Sequence, residues 1–196
     1  MDPTYQMLRY LTSPVVAITS SAQGRRTGQI VNSAQRASLV PTVPRVSMYI
    51  SKTNASHDLI YASGVFGMHL LRTDQWALIW RLGLQSARDV PDKLAGLETH
   101  VGETGCPLLV DVLAGLECRV INTMDTGVST FFLGDVVSVH PGREGSLMTS
   151  EYFRANMNAD KKVIYERLLR AAQNELESMA RNVDPERTWP GPAVRP

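Results

Sequence analysis

The sequence predicts a mainly β fold with helices, organised as a closed antiparallel barrel with helices around it. Three observations predict it: short β-branched apolar stretches separated by tight turns, two short helical patterns inserted between them, and one long helical pattern near the C-terminus. Short strands joined by turn-forming residues are typical of antiparallel barrels, because consecutive strands can pair directly. The pattern leaves the strand order open.

The first three predicted strands precede residue 52. The stretch PVVAITSS is apolar and ends at the turn-forming AQGRRTG, which is typical of a buried strand entering a hairpin. A second strand is predicted in GQIVNSAQRASLV. After a loop bounded by Pro41 and Pro44, the stretch RVSMYISK has Val46, Met48 and Ile50 at alternate positions, the period of a half-buried strand.

The middle of the chain predicts two short helices and three more strands. Ser56 is the predicted N-cap of a helix in SHDLIYASG, and Thr73 that of a helix in DQWALIWRLG, which ends near Gly83. The stretch VFGMHLL between them predicts a strand in which His69 is a core residue. An irregular connection, PDKLAGLETHVGETGCPLLVDVLAG, then precedes two predicted strands, LECRVINTM and TFFLGDVVSV.

The C-terminal part predicts a helix over residues 161–181 with an apolar stripe that includes Val163, Leu168 and Leu176. Four prolines in DPERTWPGPAVRP end it, so this segment is predicted to be an extended or disordered arm. Its Trp189 either reaches over a partner subunit's site or belongs to a disordered end. We therefore expect a barrel domain over residues 1–150, a helical extension over 151–183 that packs on the barrel or a dimer partner, and a Pro-rich tail over 184–196.

Composition limits the function classes. The 196 residues are 43% hydrophobic and 20% charged, as in one globular domain with appendages. A formal charge of +1 favours neither a nucleic-acid nor a membrane partner, and no apolar run reaches about 18 residues, so we expect a cytoplasmic protein. The two cysteines, Cys106 and Cys118, lack the spacing of a metal site, and we expect none.

The stretch SKTNASHDLI, residues 51–60, joins a predicted strand end to a predicted helix start. A lysine at such a junction, Lys52, faces the unpaired backbone N–H groups of the helix N-terminus, and this combination binds anions, most often phosphate. Further donors are available from Ser51, Thr53, Asn54, Ser56 and His57. The alternative interpretation is that Ser56 only caps the helix and Lys52 is solvated.

A second polar cluster interrupts the predicted second strand. It comprises Asn32, Ser33, Gln35, Arg36 and Ser38. A solvated barrel wall would explain it, because one face of an antiparallel strand is commonly wet. If this strand runs beside the one that ends at Lys52, however, the two clusters lie on one rim, as a phosphorylated aromatic cofactor would require.

These segments carry a resemblance to a family. The stretch from SPVVAIT through GRRTGQIVNSAQRASLVPTVPRVSMYISKTNASHDLIYASGVFGMHLL resembles the FMN-binding split-barrel proteins of the flavin reductase-like family. In that family a GQxxNT or NGMTxxS strand, a Ser/Thr-x-x-Pro turn and an NKxNxTHxxI stretch follow one another at this spacing. Two later segments, DKLAGLETHVGETGCPLLVDVLAGLECRVI and MDTGVSTFFLGDVV, are similar to its DKFAGxxxxxGxxGxPxLxDAxAxLEC and DxGDHxxFxGxV segments.

The resemblance implies a six-stranded antiparallel Greek-key barrel, a homodimer, and FMN, rather than FAD, near the subunit interface. It places the flavin ring and ribityl chain against residues of the second strand and the turn after it: Gln29, Val31, Asn32, Ser33, Ala34 and Ser38. It places the phosphate against the strand–helix junction: Ser51, Lys52, Asn54, Ser56 and His57. It assigns no catalytic residue, since hydride transfer needs no titrating side chain.

The implied function is that of an NAD(P)H-dependent FMN reductase that passes electrons to a flavin, a protein such as a monooxygenase, or a small-molecule acceptor. The chain departs from the family at Val128 and Ser129, where many members have Asp-His or Thr-His. This departure favours an alternative, an FMN-binding electron carrier without an NAD(P)H site of its own. A third hypothesis is a barrel that binds another anionic ligand.

Overall fold

The computed structural model describes residues 3–8, 10–11, 13–87, 89–187 and 189–191. Its strands, in chain order, are β1 Val16–Ala22, β2 Arg25–Val31, β3 Gln35–Arg36, β4 Arg45–Ser51, β5 Val65–Leu70, β6 Thr99–Val101, β7 Pro107–Leu109, β8 Ala114–Asp125 and β9 Ser129–Pro141. Its helices are α1 Pro3–Leu8, α2 Ala55–Ser63, α3 Trp76–Gly83, α4 Ser150–Asn156 and α5 Ala159–Leu176, and a 3-10 turn, Glu177–Met179, follows α5. The prediction of a mainly β fold with helices and a C-terminal helix is confirmed.

Seven strands form one antiparallel sheet in the order β2-β1-β5-β8-β9-β4-β3, and β6 and β7 form a separate pair. Six long strands therefore make the body of the sheet, and the two-residue β3 is added at one edge. The tight turn between β1 and β2 has positive φ at Gln23 (52°) and Gly24 (73°), the geometry that matches the twist of a hairpin.

The sheet curls, so that β2 and β4 approach each other although they stand far apart in the strand order. Within the part of the chain that the structure describes, no backbone ladder joins them. The Ser33 hydroxyl, just after β2, instead donates to the carbonyl oxygen of Tyr49 in β4 (3.0 Å) and accepts from its N–H (3.2 Å). One side chain thus replaces a pair of ladder hydrogen bonds at this seam.

The core has two parts because successive side chains of a strand point to opposite faces. Val16 and Ile18 of β1 enter the main cluster, which also contains the fully buried Phe66 and Phe132. Ala17 enters a second cluster on the other face, with residues of α3 and the connections around it. Each face of β1 is therefore covered by buried side chains.

Several predicted element boundaries are wrong. The N-cap position of α2 is Asn54 rather than Ser56, and that of α3 is Gln75 rather than Thr73. The Gln75 side chain does not cap α3, because its Oε1 accepts from Arg72 N at 2.9 Å. The predicted second strand is divided into β2 and β3, because the residues between them turn toward β4.

The C-terminal helical region also differs from the prediction. α4 precedes the long helix, which runs over Ala159–Leu176 and has no buried residue among those described. Phe153 of α4 stacks on Trp76 of α3, with ring centroids 5.7 Å apart, and Trp76 stacks on Trp80 at 5.1 Å. The two tryptophans of α3 thus pack α4 against α3.

His69 is a core residue, as predicted. Its ring is fully buried, with Nδ1 3.1 Å from Ala17 O and Nε2 accepting from Leu109 N at 3.0 Å. This arrangement requires the neutral ring with the proton on Nδ1. Burial opposes the charged form and lowers the pKa of His69 to about 4.

This burial predicts a pH dependence of stability. Below the ordinary pKa of 6.5, His69 is protonated in the unfolded chain but stays neutral in the folded chain. Stability is therefore lost as the pH falls from 6.5 to about 4. The expected loss is about 3 kcal/mol in the free energy of unfolding. Urea unfolding at pH 7, 6 and 5 measures the free energy of unfolding as a function of pH. This free energy should fall less steeply with falling pH in His69→Gln than in the unchanged chain. Equal slopes in the two proteins would contradict the assignment.

Candidate functional site

The junction between β4 and α2 is a tight turn fixed by its own polar groups. Asn54 N donates to Ser51 O at 3.1 Å, and the hydroxyls of Ser51 and Thr53 lie 3.1 Å apart. Lys52 N donates to Val128 O at 3.1 Å, which ties the junction to the turn between β8 and β9. Three of the five predicted phosphate-side residues, Ser51, Lys52 and Asn54, therefore lie within this turn, and Ser56 and His57 follow in the first turn of α2.

The N-terminus of α2 lacks a side-chain cap. Asn54 occupies the N-cap position, but its side chain accepts no hydrogen bond from the helix. Its Nδ2 instead donates to Gln29 Oε1 in β2 at 2.9 Å, and Ser56 Oγ donates to the same oxygen at 2.6 Å. Because helix N-terminal N–H groups need an acceptor and carry partial positive charge, this end of α2 suits an anion.

The amide nitrogen of Gln29 is the second polar feature at this site. Gln29 is only 7% exposed, and its Nε2 is buried without a hydrogen-bond partner among the described residues. The oxygen of the same amide already accepts from Asn54 and Ser56, which fixes the orientation of the group. An unpaired buried donor costs about 1–3 kcal/mol, so an acceptor atom supplied by a ligand would relieve that cost.

Lys52 is neither solvated nor unpaired. Its Nζ lies 2.7 Å from Asp125 Oδ1, and the two side chains are 13% and 3% exposed. Asp125 also accepts from Gly127 N at 2.7 Å and from the backbone N–H of Asp184. Burial alone would raise the pKa of Asp125, but the hydrogen bonds from Lys52 and these N–H groups outweigh it and hold the pKa below its ordinary value.

His57 is packed against the curled sheet rather than directed at the helix N-terminus. Its Nε2 lies 2.9 Å from Thr130 Oγ1 in β9, and its Nδ1 lies 2.9 Å from Asp58 Oδ1. Its ring stacks on Tyr61 with centroids 5.8 Å apart. The structure therefore places His57 between α2 and β9, away from Gln29.

The residues predicted on the flavin-ring side are only partly brought together. Gln29 reaches α2, and Ser33 joins β2 to β4 as described above. Ala34 is buried in the main core cluster with Val31 packed beside it. Asn32 lines a cleft of about 170 Å³ against α3 and α4, whereas Ser38 is half-buried and bonds within its own loop, accepting from Val40 N.

Comparison with known proteins assigns the chain to a family. Residues 7–159 match the family model described as the flavin reductase like domain. The chain belongs to the flavin reductase-like family. It is 28% identical over 134 residues to a ferric-chelate reductase (NAD(P)H) of Archaeoglobus fulgidus, with 67% of this chain and 78% of that protein covered.

Two other relatives are similar over comparable lengths. An FMN reductase (NADH) of Ancylobacter novellus is 25% identical over 148 residues, covering 74% of this chain and 79% of that protein. The solved structure of an NADH:FAD oxidoreductase of Streptomyces globisporus superposes with a TM-score of 0.65 at 25% identity, covering 76% of this chain and 92% of that one. The family relationship and the fold therefore agree.

Sequence reasoning missed the C-terminal strap, which we define as residues 177–187 and 189–191. The strap lies against α2 of its own chain: Trp189 Nε1 donates to Tyr61 O at 3.1 Å, and the Arg187 guanidinium lies 5.4 Å from the centre of the Tyr61 ring. The predicted arm is thus docked in the part described, while residue 188 and residues 192–196 of the predicted tail lie outside the described residues. The prolines that end the helix gave no signal for this contact.

Sequence reasoning also missed Asp125, the charge partner of Lys52. In the part of the chain that the structure describes, no group of three or more His, Cys, Asp or Glu side chains is arranged to hold a metal ion. None of the described helices is long and apolar enough to cross a membrane.

The buried pair predicts strong coupling between Lys52 and Asp125. Lys52→Met leaves a buried carboxylate without its cation and should lower the free energy of unfolding by about 3 kcal/mol, whereas adding Asp125→Asn should restore part of the loss. A double-mutant cycle by urea unfolding measures this coupling.

The exposed pair Arg45–Asp135 is a matched control for that cycle. Its atoms also approach to 2.8 Å, but both side chains are about 40% exposed. Its coupling should not exceed about 0.5 kcal/mol, because water screens exposed ion pairs. Equal coupling energies in the two cycles would refute the structural role given to Lys52.

Proposed function

We propose that the protein is an FMN-binding oxidoreductase that takes electrons from NAD(P)H and passes them to a flavin, a protein or a small-molecule acceptor. The observation that carries the proposal is the uncapped N-terminus of α2 next to the unpaired buried amide nitrogen of Gln29. Membership of the flavin reductase-like family supports the same assignment.

The residues present fit a flavin phosphate. The first-turn N–H groups of α2 and Gln29 Nε2 would donate to its oxygens, and Ser51, Asn54 and Ser56 lie at this turn. His57, whose ring nitrogens lie against Asp58 and Thr130, would contribute only its place in the helix. Lys52 would add charge, although Asp125 already matches that charge in the structure. The affinity would therefore depend mainly on neutral donors and the helix dipole.

The chemistry of electron transfer belongs to the flavin, which when bound supplies the redox centre. The chain's own contribution is to bind and orient it. The curled sheet fixes Gln29 and α2 relative to each other, and the Lys52–Asp125 pair fixes the turn between β8 and β9. We assign no proton-transferring residue, and the ring-side contacts of Val31, Asn32, Ser33, Ala34 and Ser38 remain part of the proposal.

A second candidate function is an FMN-binding electron carrier without an NAD(P)H site. The turn at Val128 and Ser129 favours it, because neither side chain there offers the ring nitrogen found in many family members. Val128 O accepts from Lys52 N, and Ser129 pairs with Ser51 between β9 and β4, so both positions are used for structure.

We also propose that the protein is a homodimer. The helix α5 has no buried residue among those described, and Val163 on it is 68% exposed, so an apolar surface is left for a partner. Sedimentation velocity at micromolar concentration should give a mass of two chains, and a monomer would contradict the proposal.

The spectrum of the purified protein distinguishes the candidate functions. We expect uptake of FMN with the yellow absorption of oxidised flavin, and loss of that absorption when NADH or NADPH is added without oxygen. Retention of FMN without bleaching by either nucleotide would support the carrier instead. A protein that takes up no flavin would overturn both.

The phosphate assignment predicts the effect of Gln29 variants. Gln29→Leu removes the buried donor, together with the oxygen that accepts from Asn54 and Ser56, and should weaken FMN binding by at least about tenfold. Riboflavin, which has no phosphate, should be affected less. Gln85→Leu is the matched control, because Gln85 is exposed after α3. Flavin fluorescence quenching measures the FMN affinity of each variant. Equal affinities in the Gln29 and Gln85 variants would contradict the assignment of Gln29 to the phosphate site.

A further inference from the structure

The cleft that Asn32 lines lies between the end of β2 and residues of α3, α4 and α5. Val15 and Ile79 are each only 2% exposed and form its floor, whereas Asn32 and Gly83 are exposed and lie at its mouth. The backbone N–H of Val15 donates to Met148 O at 2.9 Å, which ties the floor to the segment before α4. The cleft is therefore built from buried, hydrogen-bonded structure and opens to solvent on one side.

The electrostatics of the cleft favour a neutral ligand. Among the described residues that line it, none has a charged side chain. The helix end at the cleft is the C-terminal end of α3, at Gly83 and the following Leu84. Carbonyl groups at a helix C-terminus carry partial negative charge, so a phosphate or carboxylate would lose its hydration there and gain no positive partner.

The walls of the cleft are aromatic. The rings of Trp80 and Phe153 have centroids 6.1 Å apart with 47° between their planes, and the Tyr165 ring meets Phe153 edge-on at 5.9 Å. Such rings bind a further aromatic ring through offset or edge-on contacts. An apolar cavity of about 150 Å³ binds benzene. The cleft volume of about 170 Å³ therefore accepts one ring but not the three fused rings of a flavin.

Asn32 places a polar group at the mouth. Its carbonyl oxygen accepts from Ser13 N at 3.1 Å, which fixes the backbone of this residue. The side-chain amide of asparagine both donates and accepts hydrogen bonds, so it matches a hydroxyl group, which does the same. A ring that enters the apolar floor could therefore keep one hydroxyl group at Asn32.

We propose that this cleft is a binding site for a neutral aromatic molecule of one ring with one hydroxyl group, that is, a simple phenol. The ring packs against Trp80 and Phe153, and the hydroxyl group bonds with the Asn32 amide. The inference does not require a bound flavin. It therefore stands or fails separately from the proposed function.

Isothermal titration calorimetry with phenol tests the site. We expect a dissociation constant of about 0.1–1 mM, as is reasonable for so small a ligand. Leu84→Trp enlarges a half-buried side chain that lines the cleft and should weaken phenol binding at least about tenfold. Leu39→Trp is the matched control, because Leu39 is 81% exposed and does not line the cleft. Equal phenol affinities in the two variants, or no binding to the unchanged chain, would overturn the inference.

Ligand chemistry gives a second readout that does not depend on the tryptophan variants. Benzoate has the same ring but is charged at neutral pH, and it should bind the unchanged chain at least about tenfold more weakly than phenol. Asn32→Ala should weaken phenol about threefold and leave toluene, which has no hydroxyl group, unchanged. Equal binding of benzoate and phenol would indicate unspecific adsorption and overturn the inference.

Competition with FMN separates the cleft from the proposed flavin site. Saturating FMN should not displace phenol, because the flavin ring system is too large for the cleft. Displacement of phenol by FMN would mean that the cleft belongs to the flavin site, which overturns the inference and leaves the proposed function standing. If the chain binds phenol as predicted but takes up no flavin, the proposed function fails and the inference stands.

Discussion

The ion pair between Lys52 and Asp125 is the interaction on which the arrangement of the site depends. It joins the junction before α2, the turn between β8 and β9, and the strap, because Asp125 accepts from Lys52, Gly127 N and Asp184 N together. A buried carboxylate is costly unless its oxygens are satisfied, and here three donors from three segments satisfy them. The charge is therefore tolerable only when all three segments are in place.

The second constraint is the seam between β2 and β4. These strands stand far apart in the sheet order, and curling of the sheet brings them together without a backbone ladder in the described residues. Ser33 bridges the gap to β4 through the backbone of Tyr49, and Asn54 and Ser56 at the start of α2 donate to Gln29 of β2. The polar residues after β2 are thus not simply a solvated wall, because Ser33 makes the bonds that the strands leave unmade.

Local pattern was enough to predict most of the strands but not the contacts that make the site. The alternation of Val46, Met48 and Ile50 marks β4, and all three side chains are buried as expected. Ser56 has the character of an N-cap, yet its hydroxyl bonds to Gln29, 27 positions away. Glu117 shows the same limit: it is fully buried because Thr104 donates to it twice, from N–H and hydroxyl, at 2.6 Å. Such partners are brought together by the curling of the sheet, and a short stretch of sequence does not predict that curling.

In the turn between β8 and β9, this chain keeps the family fold, and the residues of the turn make structural contacts. At Gly127 the backbone lies so close to Ala180 O that no larger side chain fits. Val128 contributes its carbonyl oxygen to Lys52 N, and Ser129 is paired within the sheet. Val128 and Ser129, which replace the Asp-His or Thr-His of the family pattern, here hold the Lys52 junction and the pairing of β9 with β4. Because backbone groups make these contacts, a histidine introduced at position 129 would alter the side chain presented there without supplying the loop geometry around it.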